Sequence, residues 1–224
     1  MSEIINTYLL SDPDNVVPMD RAEFYKEQVE VFEKTGQPTR ACEIVNCLIF
    51  NSEKEVLIQK RSFEKNHNPG LLDKSIGGHM QYGDTLDYTI MVETVQELQT
   101  PSIVLRNYDD FRKALLLLDK YLDTIAVVNH SLSKILILEK IINQKKVKIA
   151  NKVNLFFGIY DGATKPVDKE AKGVLYYSLK ELDNEIQKFP ETFSNDLAVI
   201  LKDFRPEIEK FLAVIDEVKT MKAE

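Results

Sequence analysis

What this chain has little of narrows its roles before any motif is considered. Its only thiols are Cys42 and Cys47, which fall in one strand-like run, "CEIVNCLIF". Five residues of extended chain hold them roughly 16 Å apart, beyond the reach of a disulfide. They lack CxxC spacing, and the three histidines, His67, His79 and His130, lack the spacing of a metal finger. A reducing, cytoplasmic setting is the expectation. The longest apolar runs, around 114–118 and 135–138, fall far short of a bilayer span, and the opening "MSEIINTYLL" has neither the basic nor the apolar region of a secretory signal. Basic residues are outnumbered, 29 against 36 acidic ones, giving a net charge of −7 and a pI near 5.2. That balance argues against nucleic acid or an anionic membrane as partner and suits a cation-binding pocket.

What is present is enough for a real core: 224 residues, 44% of them hydrophobic. Residues 1–40 read as an N-terminal extension, a hairpin in "YLLSDPDNVVP" turning at Asp12-Pro13-Asp14-Asn15, then a helix near 21–34 stopped by "TGQP". Residues 41–224 read as the main domain. "CEIVNCLIFN" and "EVLIQKRS" are strands joined by Ser52-Glu53-Lys54, and "NHNPGLLDKSIGGHM" is a loop with a short strand. A helix follows, with Asp84 as N-cap, Asp87 three residues on and Pro101 as its stop. In 104–147, "NYDDFRKALLLLDKYL" and "SLSKILILEKIINQKK" read as two apolar helices, a helical insertion. Strands resume in "KVNLFFGIYDG" and "KGVLYYSL", and 179–224 reads as amphipathic helices. The βαβ alternation is irregular, so the expected class is α+β, an α/β/α sandwich on a mixed sheet rather than a doubly wound fold.

The chemistry concentrates in "ETVQEL". On a helix Glu93, Gln96 and Glu97 share a face, presenting carboxylates and an amide oxygen to a common point. Hard cations such as Mg²⁺ take such oxygen ligands, completed by waters and substrate phosphates. Spacing alone leaves an ordinary helix with solvated glutamates equally open. Leu86, Ile90, Met91, Val92, Val95 and Leu98 surround the acids, which suggests cover on more than one side of the helix.

Residues 78–100 resemble a Nudix box, G-x5-E-x7-R-E-U-x-E-E-x-G-U, where U is a bulky aliphatic residue. Gly78 sits on the first glycine, Asp84 on the first glutamate, Glu93 on that of the Arg-Glu pair and Glu97 on the second of the Glu-Glu pair. Val92, Gln96, Gln99, Thr94 and Thr100 depart from the pattern, so the box is degenerate. Val92 and Asp84 depart together, since the family's arginine and first glutamate pair with each other. The stretches "LLSDPDNVVPMDRAEFYKEQ", "TRACEIVNCLIFNSEKEVLIQKRS", "PGLLDKSIGGHM", "EAKGVLYYSLKEL" and "FPETFSNDL" are similar to the branch sharing its plan with isopentenyl-diphosphate isomerases. Where those isomerases carry a catalytic cysteine, this chain has Gly77, followed by Gly78-His79.

The resemblance implies metal-dependent hydrolysis of a nucleoside-diphosphate-linked small molecule, with Mg²⁺ or Mn²⁺ held by Glu93 and Glu97, helped by the Gly78 carbonyl and weakly by Gln96. Glu93 and Glu97 are also the candidate groups for orienting or deprotonating water. Arg61, rather than its neighbour Lys60, is the candidate for a phosphate oxygen; His79 and Tyr82 are candidates for the substrate pocket, and Glu170 for a further carboxylate. His67 and His130 read as surface residues. The alternative is a domain that binds a nucleotide-like ligand without cleaving it; isomerisation of isopentenyl diphosphate comes last. The insertion reads as packing, a lid, or a contact in a homodimer.

Overall fold

The run "RACEIVNCLIF" is apolar on successive residues, as a strand covered on both faces must be. In the computed structural model, which describes residues 3–164 and 171–223, this run is a central strand buried from Ala41 to Phe50. The elements in chain order are β1 (Ile4–Leu9), β2 (Asp12–Asp20), α1 (Arg21–Thr35), β3 (Arg40–Phe50), β4 (Val56–Arg61), β5 (Leu72–Asp73), β6 (Ile76–His79), α2 (Leu86–Leu98), β7 (Ser102–Leu105), α3 (Tyr108–Leu118), β8 (Ala126–Ile142), β9 (Lys145–Ile159), β10 (Ala171–Tyr177), α4 (Leu179–Lys188), α5 (Asn195–Asp203) and α6 (Arg205–Ala223).

The main sheet runs β10-β4-β3-β9-β8-β7, with β1, β2, β5 and β6 attached beside it. It is mixed: β3 lies parallel to β9 and β7 to β8, while β8–β9, β3–β6 and β4–β10 are antiparallel. Alternation along β3 divides the core. Val45, Cys47 and Ile49 pack with Ile90 and Leu98 of α2. Leu48 and Phe50 join Phe111 of α3, Leu197 of α5 and Phe211 of α6. Phe24 and Tyr25 of α1 close on Cys42, Ile44 and the far end of the β8–β9 pair. The result is an α/β/α sandwich of the α+β class.

Four local expectations are corrected. The second helix expected in 104–147 is instead the long strand β8, so this segment holds no helical hairpin to act as lid or dimer face. Burial alternates there, with Leu138, Lys140 and Ile142 buried and Ile137 and Glu139 turned outward. The β-branched Ile135, Ile137, Ile141 and Ile142 favour the pleated strand. Asn143 and Gln144, at φ 50° and 64°, form the tight turn into β9 that a right-twisted hairpin prefers. Second, α2 is capped by Thr85, whose hydroxyl accepts from the Tyr88 N–H, so Asp84 does not serve as the cap. Third, α2 is covered on one side, since Met91 and Val95 are exposed. Fourth, the first hairpin turns at Leu10 and Ser11; Asp12-Pro13-Asp14-Asn15 lies within β2.

β3 and β4 diverge after a single pair, Phe50 with Val56. Ser75 fills the split: its hydroxyl accepts from the Ile49 N–H at 2.8 Å and donates to the Leu57 carbonyl at 2.5 Å. Gln59 Nε2 donates to the Ser75 carbonyl. Removing the hydroxyl orphans a donor and an acceptor in a fully buried place. Ser75→Ala is expected to cost about 2 kcal/mol of stability, read as a lower urea midpoint at unchanged slope.

Candidate functional site

Where β6 leaves the split, two consecutive glycines bare its backbone on opposite faces. A Cβ on Gly78 would fall 1.8 Å from Glu93 Oε1, whereas one on Gly77 would meet Lys74 Cε at 2.6 Å and Asn46 Oδ1 at 3.4 Å. The carboxylates of α2 on one side and an amide and ammonium on the other therefore reach a single cleft of about 310 Å³. A side chain on Gly78 would displace the Glu93 carboxylate, and one on Gly77 would push the Lys74 side chain aside.

Glu93 and Glu97 are half-buried on the cleft wall, and Gln96 is exposed at its rim. Glu97 is held from the strand side: its Oε2 accepts from the Gly77 N–H at 3.3 Å and from Gln59 Nε2 at 3.2 Å. Arg61 lines the cleft, but its guanidinium is braced, donating to Asp73 at 3.1 Å and to the His67 carbonyl at 3.1 Å. Lys60 points away, over the Phe63 ring. Tyr82 is outside the cleft, 60% exposed. Glu170 lies outside the described residues.

Basic residues also line the cleft, and the sequence reading missed most of them. Arg21 sits at the start of α1; Lys65 comes from the 62–71 loop, Lys74 follows β5, and Lys140 comes from β8. Lys74 is 7% exposed between Asp73 and Asp196, each 3.3 Å away. Burial alone would raise Asp73, but Lys74, Arg61 and the Ser194 hydroxyl outweigh it and hold the carboxyl well below its usual range. Lys140 is also 7% exposed, yet no carboxylate among the described residues pairs with it. Its ammonium donates to Asn151 Oδ1 at 3.3 Å and stands 5.9 Å from the Tyr25 ring centre. A buried ammonium without a counter-ion is costly unless an anion comes to it.

The strand hairpin brings Lys140 here. Its tip docks on the 62–71 loop, where Asn68 exchanges hydrogen bonds with Ile141 and His67 bridges to Ile142. His67, expected at the surface, is therefore half-buried in the cleft, its ring 4.1 Å from that of Tyr25. The Tyr25 hydroxyl and His79 Nε2 are 2.9 Å apart. Burial, then the charges of Lys140 and Arg21, push His67 down to about 3; burial, then Arg21 and Lys140, hold His79 well below the imidazole range. Both rings are neutral at neutral pH. His130 stands elsewhere, bonded to Ser133 and half-buried against Phe156. The signal for Lys140 was the alternation in "ILILEKII", a lysine in phase with the buried residues of a strand.

Neither cysteine lines the cleft. Cys42 and Cys47 are free and fully enclosed in β3, and burial pushes the Cys42 thiol up to about 11. Among the described residues, no three His, Cys, Asp or Glu side chains form a ready metal cage, and no helix is long and apolar enough to cross a membrane.

Several solved structures are similar to this chain. A protein of Deinococcus radiodurans, DR0079, aligns over 90% of this chain and 98% of its own, with a TM-score of 0.59 and 18% identity. A bifunctional NMN adenylyltransferase/ADP ribose pyrophosphatase from Francisella tularensis aligns over 84% of this chain and 46% of its own, with a TM-score of 0.47 and 16% identity. A NUDIX-family hydrolase from Clostridium perfringens aligns over 79% and 97%, with a TM-score of 0.45 and 12% identity. No protein-family model and no curated protein matches the sequence. At 18% identity the Deinococcus structure speaks for the fold alone.

The neutral histidines carry a pH dependence. A group whose folded pKa is depressed takes up its proton on unfolding, so its contribution is complete above the ordinary imidazole value and is lost as pH falls below it. His67 is expected to remove on the order of 1–2 kcal/mol of stability between pH 7 and pH 5. Urea denaturation at both pH values should show a smaller loss in His67→Gln than in the wild type.

Proposed function

We propose that the chain is a metal-dependent hydrolase of a diphosphate-linked small molecule, of the Nudix type that residues 78–100 resemble. The observation that carries this reading is Lys140: a buried ammonium without a carboxylate partner among the described residues, in the same cleft as Glu93 and Glu97. A diphosphate is an anion dense enough to compensate Lys140, and it is also a group that draws a divalent cation towards the acids.

The donor set fits Mg²⁺ or Mn²⁺. Glu93 lies against the bare backbone of Gly78, and Glu97 has one oxygen occupied by the Gly77 N–H and the Gln59 amide. These are hard oxygen ligands, too few for an all-protein cage and suited to a cation that also takes water and phosphate oxygens. Gln96, neutral and exposed, adds a weak amide oxygen at most. When bound, the cation neutralises diphosphate charge and polarises the bond to be broken. Lys140, Lys74 and Arg61 bind and orient the diphosphate, and the bracing of Arg61 by Asp73 fixes its guanidinium in advance. Glu93 or Glu97 accepts the proton of the attacking water.

A second reading is a domain that binds the same anion without cleaving it, favoured by the neutral Gln96 where the resemblance expects an acid. Isomerase chemistry is disfavoured by Gly77 and by the absence of either thiol from the cleft lining.

The test is phosphate or pyrophosphate release from a panel of nucleoside-diphosphate derivatives with Mg²⁺ or Mn²⁺. Glu97→Gln is expected to lower turnover about a hundredfold or more at intact folding. Lys140→Met is expected to raise KM about tenfold and to stabilise the free protein. No turnover on any compound, with tight diphosphate binding retained, would replace the hydrolase by the binding domain.

A further inference from the structure

The solvent face of α2 is unusual for this chain. Its exposed residues are Tyr88, Met91, Val95 and Gln96, all uncharged in a sequence that is 29% charged. By contrast α1 follows the ordinary pattern and turns Glu23, Lys26, Glu30 and Lys34 to solvent. The charges of α2 are placed elsewhere. Glu93 and Glu97 line the cleft, and Asp87, on the flank of the face, is paired with Arg106 at 2.7 Å. Tyr88, Met91 and Val95 are 55%, 44% and 51% exposed, and none of them lines the cleft. With the partly exposed Val92 they follow one another at intervals of three and four residues. That is a two-turn seam of the kind that packs on another helix.

We propose that this stripe is a homodimer contact, in which two copies of α2 pack antiparallel about a two-fold axis between Met91 and Val92. The dimer does not depend on the hydrolase reading, and it leaves the cleft open. A two-fold axis sets each residue near its own counterpart, so a charged residue close to the axis would face its own sign. A face cleared of charge meets that requirement, whereas a charged partner would find nothing here to complement it. The stripe is also self-complementary in register: Tyr88 of one copy falls opposite Val95 of the other, large against small. Tyrosine and methionine are residues that interfaces favour. Tyr88, Met91 and Val95 leave on the order of 300 Å² exposed per copy, enough for the apolar centre of an interface of about 800 Å² a side. That area suits a reversible dimer with a Kd of roughly 10 µM. Leu116 and Leu117 of α3 are exposed as well, but they share their helix face with exposed Asp109, Asp110 and Lys113 and give no charge-free seam.

The test is sedimentation velocity of the full chain between about 1 and about 200 µM. The wild type is expected to pass from monomer to dimer across that range. Met91→Glu, which sets two carboxylates beside the axis, should weaken the dimer at least about a hundredfold, while Leu117→Glu on α3 leaves it unchanged. Both positions are exposed, so both variants are expected to keep the fold, as circular dichroism would show. Tyr88→Lys or Val95→Glu alone should weaken the dimer about tenfold, and the two combined in one chain should regain most of that loss by pairing across the seam. The melting temperature should rise with protein concentration in the wild type and not in Met91→Glu. A wild type that stays monomeric throughout leaves the face to a different partner and overturns the proposal. So does a dimer that survives Met91→Glu, or a double variant that associates no more tightly than either single one.

Discussion

The site depends on a missing atom. Gly77 and Gly78 are successive residues of one strand, so their absent side chains would point to opposite faces of the sheet. On one face the gap admits the Glu93 carboxylate; on the other it admits Lys74 and Asn46. Groups that a sheet would ordinarily keep apart thus share a cleft. The Ser75 hydroxyl, bridging β3 and β4 just before these glycines, keeps the strands open at the place where the glycines are needed. A tight turn alone would not require glycine at these positions, since neither has a positive φ; close approach does.

Around that gap the charges are arranged rather than merely accumulated. Although the chain is acidic overall, its cleft sets Arg21, Arg61, Lys65, Lys74 and Lys140 against Glu3, Asp73, Glu93, Glu97 and Asp196. Lys74 and Arg61 are held by Asp73, which Ser194 at the start of α5 also engages. Lys140 stands apart, since nothing anionic among the described residues neutralises it. Burial, and after it the same field, holds His67 and His79 below the imidazole range, so the aromatic corner with Tyr25 contributes hydrogen bonds without adding positive charge. Net charge does not report that balance, because a cleft samples local charge only.

The resemblance pointed to Glu93 and Glu97, and the fold brings both to the cleft although 78–100 departs from the pattern it resembles. Val92 and Asp84 do not line the cleft, so their departure from the pattern leaves its lining groups unchanged. Gln96 does line it, and there the departure puts an amide where the resembled pattern has a carboxylate. Glu93 and Glu97 were legible because helical spacing places them on one face whatever the surroundings. Arg61 was legible because it alternates with Lys60 at a strand end. Tyr82 was not, since nothing in "GGHMQYG" tells whether a residue after a turn points inward. Lys140 was hidden by a misread period: Leu and Ile in "ILILEKII" serve a helix or a strand, and only the Asn143-Gln144 turn and the pairing with β9 separate the two.

By itself the sequence determined the central strand run, the carboxylate helix, the glycine pair and the α+β class, because hydrophobic period, helical spacing and glycine's lack of a Cβ are local properties. Tertiary structure alone decided which charges meet. Lys140 and Lys74 are 66 positions apart in the numbering and reach one cleft only because the β8–β9 hairpin folds back onto the 62–71 loop. Asn46 looks like an ordinary strand residue until both its amide atoms are found buried and without a hydrogen-bond partner among the described residues. Burial and partnership are relations between distant segments, and no local pattern encodes them.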